Sequence, residues 1–194
     1  MYTIGVLAIQ GDVLEHKQAL QHLGVDAPEI RLPCQLDGLD GLIIPGGEST
    51  TMVRLIDIYE LRQALAEKVR SGMPVWGTCA GMIVLADRLT DGRPEPLHIM
   101  DIEVNRNAFG RQVDSFEEDI RIDEINGPPF RAVFIRAPVV THVGQRVKVL
   151  ASMDDGRPVA VRQNHILATA FHPELTPDLR LHELFLRIVK NHTY

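Results

Sequence analysis

Apolar residues in the first half of the chain fall into short runs, separated by stretches in which they recur every three or four positions. Tyr2 to Ile9 is a run without helical spacing that stops at Gln10-Gly11-Asp12, the pattern of a buried strand meeting a turn. Val13, Leu20 and Leu23 then share one side of a predicted helix, and Gly24 stands where a helix C-terminal cap belongs. The unit repeats. Gly41 to Ile44 runs into Pro45-Gly46-Gly47, and Leu61, Leu65 and Val69 mark an amphipathic helix ending near Gly72. Pro74 to Gly77 is a brief strand leading into Cys79. Strands alternating with helices in this way predict a parallel sheet covered by helices on both faces.

The second half has a different texture. Ile120 to Ile122, Ala132 to Ile135, Val139 to Val143, Val147 to Leu150, Val159 to Val161 and Ile166 to Phe171 are strand-like, with few helix signals between them. Some of these strands should be antiparallel. Leu181, Leu184, Phe185, Ile188 and Val189 lay an apolar stripe along a closing helix. The expected fold is therefore α/β: a three-layer sandwich whose central sheet is mostly parallel and flanked by helices, with some antiparallel strands in the second half. The glycine and proline clusters near Gly92 to Pro96 and Gly127 to Pro129 read as loops, not boundaries, so residues 1–194 are expected to form one domain.

Composition narrows the function classes. The chain has 194 residues, 45% hydrophobic and 24% charged, enough to bury one sizeable core. Its formal charge of -6 comes from interspersed acids and bases, with no basic stripe to neutralise a phosphate backbone, so nucleic acid is not an expected partner. No apolar run approaches the roughly 18 residues that span a bilayer, and Met1 leads straight into a strand-like segment without a charged leader. No membrane association is expected, and the predicted location is the cytoplasm. Two cysteines, Cys34 and Cys79, make no disulfide framework. The eight histidines show neither H-x-x-x-H spacing nor partner cysteine pairs, so no metal site is expected.

Chemistry gathers at three places. Gly77-Thr78-Cys79-Ala80-Gly81 lies between a strand and a helix-compatible stretch from Met82 to Ala86, the setting of a nucleophile elbow. Small neighbours permit so sharp a turn, and a helix start favours thiolate over thiol and offers N–H groups to an oxyanion. Alone, that string fits a buried structural cysteine equally well. Cys34, outside any such turn, has only the structural reading. Near the other end a strand runs into His172-Pro173-Glu174, and residues two apart in an extended segment project to the same side, so Glu174 can orient His172. The third place is Pro45-Gly46-Gly47-Glu48-Ser49-Thr50, at the same sheet edge as Cys79, where adjacent glycines can aim an N–H at a carbonyl oxygen. No lysine follows it as a phosphate-binding loop demands.

With these residues in view, the chain resembles the class I, triad-type glutamine amidotransferases, and within them the glutaminase subunits of pyridoxal 5′-phosphate synthases. The general signatures are the glycine loop at Gly46, the elbow at Cys79 and His172-Pro173-Glu174. The narrower ones are Leu7-Ala8-Ile9-Gln10-Gly11-Asp12, the loop from Pro45 to Thr51, Arg106-Asn107-Ala108-Phe109-Gly110-Arg111-Gln112 and Phe134-Ile135-Arg136-Ala137-Pro138. The resemblance implies hydrolysis of L-glutamine to glutamate and ammonia, without a cofactor. Ammonia would pass to a synthase subunit that builds pyridoxal phosphate from a pentose phosphate and a triose phosphate. By position, Cys79, His172 and Glu174 would be the triad. Gly47, Glu48, Ser49, Arg106, Ile135 and Arg136 would contact substrate, and the backbone N–H groups of Gly47 and Ala80 would hold the oxyanion. Gln10 matches a residue near the oxyanion and partner interface. The rival readings are a glutaminase subunit serving histidine or purine synthesis, a cysteine peptidase, and a catalytically silent scaffold subunit.

Overall fold

The computed structural model describes residues 2–106 and 115–192. Among them, seven strands form the main sheet, in the order β10-β11-β12-β4-β3-β1-β2. Its centre is β12 (Ile166–Thr169), β4 (Val75–Thr78), β3 (Gly41–Ile44) and β1 (Ile4–Leu7), all parallel to one another. Every residue of these four strands is buried, because helices cover both sides, and so they read as continuous apolar runs without alternation. The short β2 (Glu29–Ile30) adds a parallel edge, whereas β11 (Pro158–Gln163) and β10 (Lys148–Ser152) add antiparallel strands at the other side.

Trp76 points to one face of the sheet, where it meets His16 of α1 (Val13–His22) and both His182 and Phe185 of α5 (Arg180–His192). Gly77 points to the other, against α4 (Ala80–Leu85). There α2 (Ser49–Ile58) lies beside α4, and α3 (Leu61–Arg70) beside α2. A smaller sheet of β5 (Ala86–Leu89), β6 (Met100–Asn105) and β9 (Val139–Val143), and a hairpin of β7 (Ser115–Ile120) and β8 (Phe130–Ile135), complete the second half. The predicted α/β fold, mostly parallel with antiparallel additions, is the one observed.

Three expectations shift in detail. The glycine loop does not lead directly to the helix at Leu61: α2 intervenes, and it ends at Tyr59 and Glu60, where Glu60 adopts a left-handed φ of 57° without any glycine or proline to mark the break. The strand expected at Ile120 to Ile122 lies earlier, at Ser115–Ile120, where Glu117 and Asp119 sit on the open face of a two-stranded hairpin. β5 and β6 carry no distinctive apolar run, since β6 is buried on one face only, at Met100, Ile102 and Val104. Of the run from Arg106 to Gln112, only Arg106 lies within the described residues.

One close contact sets the position of α4. A methyl group on Gly81 would run into the backbone carbonyl of Ile44, and one on Gly77 would lie 2.5 Å from the Gly81 carbonyl group. The helix can rest directly on β3 and β4 only because neither residue has a side chain. Replacing Gly81 by Ala should therefore lower the unfolding free energy by about 1–3 kcal/mol, the usual cost of overpacking. A thermal melt reads this as a lower midpoint, and an unchanged midpoint would contradict so close an approach.

Candidate active site

Because β12, β4, β3 and β1 are parallel neighbours, their carboxyl ends lie along one edge of the sheet. They deliver, in spatial order, His172, Cys79, the loop from Gly46 to Ser49, and Gln10 with Asp12. Ligands of open α/β sheets bind at this edge. A cavity of about 370 Å³ opens there. Its wall includes Cys79, Ala80 and His172, the loop residues Gly47, Glu48 and Ser49, and Arg106, Ile135 and Arg136 from the second half. Gln10, Asp12 and Ile83 complete it.

Cys79 occupies a backbone conformation that L-residues rarely adopt, with φ 47° and ψ −105°. Such a position costs on the order of 1–3 kcal/mol and persists only where the surroundings hold it. Here its N–H donates to the Thr169 carbonyl at 2.8 Å, tying the elbow to β12, and α4 begins at the next residue. The sulfur faces the cavity, with the Ile135 carbonyl 3.8 Å away. As the first residue of α4, Ala80 has an N–H with no partner inside the helix.

The His172 backbone N–H donates to the Val133 carbonyl at 2.8 Å, which fastens the end of β12 to β8. Its side chain meets Glu174 as expected, Nδ1 to Oε1 at 2.7 Å, but not by strand alternation: β12 has ended, and Pro173–Leu175 forms a 3₁₀ turn that brings the carboxylate round. Glu174 lies behind the imidazole with a fully buried side chain, away from the cavity. A second carboxylate, Asp12, stands 3.3 Å from the same Nδ1. Gly46 packs against the ring, since a methyl group there would lie 2.9 Å from Nδ1. Burial pulls the imidazole pKa down, yet its interactions with Cys79 and Glu174 outweigh that and bring it up to about 10. Glu174 is pushed up by burial, against the downward pull of His172. Nδ1, Asp12 and Glu174 are close enough to share a cation, but at 2.7 Å the Glu174 contact is a hydrogen bond that occupies Nδ1.

The glycine loop is held from outside. Gln10 Oε1 accepts from the Glu48 N–H at 2.8 Å, and the Glu48 side chain caps α2 through the Thr50 N–H at 3.1 Å. The two arginines differ. Arg106 borders the cavity but is engaged, with Asp91 at 2.8 Å and the hydroxyls of Ser49 and Thr50 each at 3.2 Å. Arg136 is exposed at the cavity, and no carboxylate among the described residues pairs with it. Asp12 and Ile83 were not singled out in the sequence as site residues, and only Asp12 carried a signal, as the last member of the Leu7 to Asp12 motif. Two buried histidines behind the site, His16 and His182, gave no signal at all.

Sheet order and edge cavity together define an α/β fold with a candidate site at the carboxyl ends of its parallel strands. Residues 6–191 match the SNO glutamine amidotransferase family, and the chain belongs to that family. It is 55% identical to pyridoxal 5′-phosphate synthase subunit PdxT of Herpetosiphon aurantiacus over 187 residues, covering 95% of this chain and 98% of that protein. The same subunit of Thermotoga neapolitana is 52% identical over 187 residues, covering 96% and 99%. A crystal structure of a glutamine amidotransferase superimposes with a TM-score of 0.91 at 47% identity, covering 96% of this chain and 98% of that one.

The raised pKa of His172 has a definite pH consequence. The folded protein holds the imidazole proton more tightly than an unfolded chain, whose histidine titrates near 6.5. The stability this confers is complete below about pH 6.5 and is lost as pH rises through about 10. Removing the thiol in Cys79→Ala removes one of the groups that raise it, so the His172 titration midpoint, followed by NMR at the ring Cε1–H, should fall. An unmoved midpoint would show that the thiol does not interact with the imidazole.

Proposed function

We propose that this chain is the ammonia-supplying glutaminase of a pyridoxal 5′-phosphate synthase, with Cys79, His172 and Glu174 as its triad. The observation that carries the reading is the edge cavity, where a cysteine on a strained elbow faces an imidazole backed by a buried carboxylate. The near full-length identity to PdxT subunits supports the choice of pathway over histidine or purine synthesis.

The Cys79 thiolate attacks the side-chain carboxamide carbon of L-glutamine, and the oxyanion that forms is held by the N–H groups of Gly47 and Ala80. The Glu48 N–H is already taken by Gln10. His172 gives its Nε2 proton to the nitrogen as the C–N bond breaks, so ammonia leaves and a thioester remains. His172 then takes a proton from water, the resulting hydroxide attacks the thioester, and glutamate departs as the thiolate reforms. Glu174 holds Nδ1–H throughout, which fixes the ring and balances its charge. A cavity of about 370 Å³ suits a free amino acid. Arg136 is the better placed arginine for its α-carboxylate, since Arg106 is committed to Asp91 and shapes the loop through Ser49 and Thr50.

Ammonia must reach an acceptor before it escapes, so the working form is a complex with the synthase subunit. No helix among the described residues is long and apolar enough to cross a membrane. Both cysteines are free, as a reducing compartment requires, which suits work in the cytoplasm.

Glutamine hydrolysis measured with and without the synthase subunit tests the whole reading. Cys79→Ala should abolish ammonia release while keeping the melting profile, and Glu174→Gln should lower kcat by about 10²- to 10⁴-fold. Ammonia release that persists in Cys79→Ala would refute the nucleophile, and a silent wild-type complex would favour the scaffold reading.

A further inference from the structure

The triad proposed above ends at Glu174, but the buried polar chain does not. Behind that carboxylate lie His16 of α1 and His182 of α5, both fully buried on the far face of the sheet and neither bordering the cavity. His16 Nε2 lies 3.2 Å from Thr78 Oγ1 and 3.3 Å from Glu174 Oε2. Its other nitrogen, Nδ1, lies 3.1 Å from His182 Nε2. Trp76 wedges both rings edge-on, with centroids 5.7 Å and 5.0 Å away. His16 and Oε2 are within ion-pair range without forming a hydrogen bond, and Oε2 has no hydrogen-bond partner among the described residues. Burial keeps both histidines neutral: His16 is held well below its ordinary value by burial and then by His182 and His172, and His182 falls to about 4.

A neutral imidazole donates from one nitrogen and accepts at the other. His182 Nδ1 is buried and without a partner among the described residues. Were it protonated, a donor would be orphaned, and His182 Nε2 could only accept. His16 would then have to donate from Nδ1, turning a bare Nε2 lone pair toward Glu174 Oε2, acceptor against acceptor. In the opposite assignment His182 Nε2–H donates to His16 Nδ1, and His16 Nε2–H points at Thr78 and Glu174. Of the four imidazole nitrogens, one lone pair, at His182 Nδ1, is then unmet. Orphaned buried N–H groups are the rarer and costlier fault, so this second assignment is the one the packing selects.

We propose that His16, fixed as its Nε2–H tautomer by His182, is a positioning residue of the glutaminase: it serves the second oxygen of Glu174 and keeps Oε1 aimed at His172. The inference rests on Glu174 acting as the third triad member. The titratable groups facing Glu174 are His172 on its own turn, Asp12 from the loop after β1 and His16 from α1. Of these, His16 is the only neutral donor on the side away from the reaction. Without it, the buried carboxylate would gain a proton more readily or swing away from Nδ1.

The test is kinetics of the chain in complex with its synthase subunit, together with imidazole ¹⁵N NMR of the wild type. His16→Leu should lower kcat about 10- to 100-fold with the KM for glutamine within about twofold. It should also move the acid limb of kcat/KM up by about one pH unit, since Glu174 then protonates at higher pH. His16→Gln, whose amide can reach the same oxygen, should recover much of the rate and return the limb. In the spectra, His16 should carry its proton on Nε2 between about pH 6 and 8, well above the range where a buried imidazole charges. A proton on Nδ1 would overturn the proposal, even if His16→Leu fails to fold. So would wild-type kcat and an unmoved limb in a folded His16→Leu. Loss of activity in Cys79→Ala alongside that result would leave the triad standing and remove only the role of His16, whereas activity surviving in Cys79→Ala would remove the triad itself.

Discussion

The site depends on how closely α4 lies against the sheet. With Gly77 and Gly81 bare of side chains, the helix starts one residue after the end of β4, and the chain must reverse at Cys79 to achieve it. That reversal forces the left-handed backbone at a cysteine, with its strain held by the N–H bond to Thr169. The same bond couples β4 to β12, so the strand that carries the sulfur and the strand that carries His172 are fixed relative to each other. Distance between thiol and imidazole is thus a property of sheet register, not of a flexible loop.

Electrostatics follow from which side of His172 is buried. Its cavity side meets the thiol, and its inner side meets a carboxylate with no exposed atoms. A buried carboxylate is costly unless its oxygens are served by donors. One oxygen is served by His172 at 2.7 Å, and the other, without a hydrogen-bond partner among the described residues, has His16 3.3 Å away. The helices on the far face of the sheet therefore reach the proposed triad through the interior, without lining the cavity.

Much of this was legible in advance where the signal was local. The central strands announced themselves as apolar runs because helices bury both their faces. The elbow showed through its flanking glycines, and His172-Pro173-Glu174 through its pairing of chemistries, although a 3₁₀ turn rather than strand alternation makes the contact. The illegible parts were those in which local signals were weak or absent. The break between α2 and α3 falls at Tyr59 and Glu60, residues that do not mark turns. β5, β6 and β7 are charged and half exposed, so their patterns resembled loops. Arg106 was expected as a substrate contact, and its pairing with Asp91, fifteen residues earlier in the chain, carried no signal.

The sequence by itself determined the proposed reacting groups and their immediate geometry, since a cysteine between two glycines and a histidine two residues from a glutamate are built by bonds within a few positions. Tertiary structure alone decided what surrounds them. Asp12 reaches His172 only because β1 and β12 end at the same sheet edge, and His16 meets His182, 166 residues away, only because α1 and α5 share a face over Trp76. Such meetings depend on strand order and helix placement, which arise from burying the whole apolar surface at once.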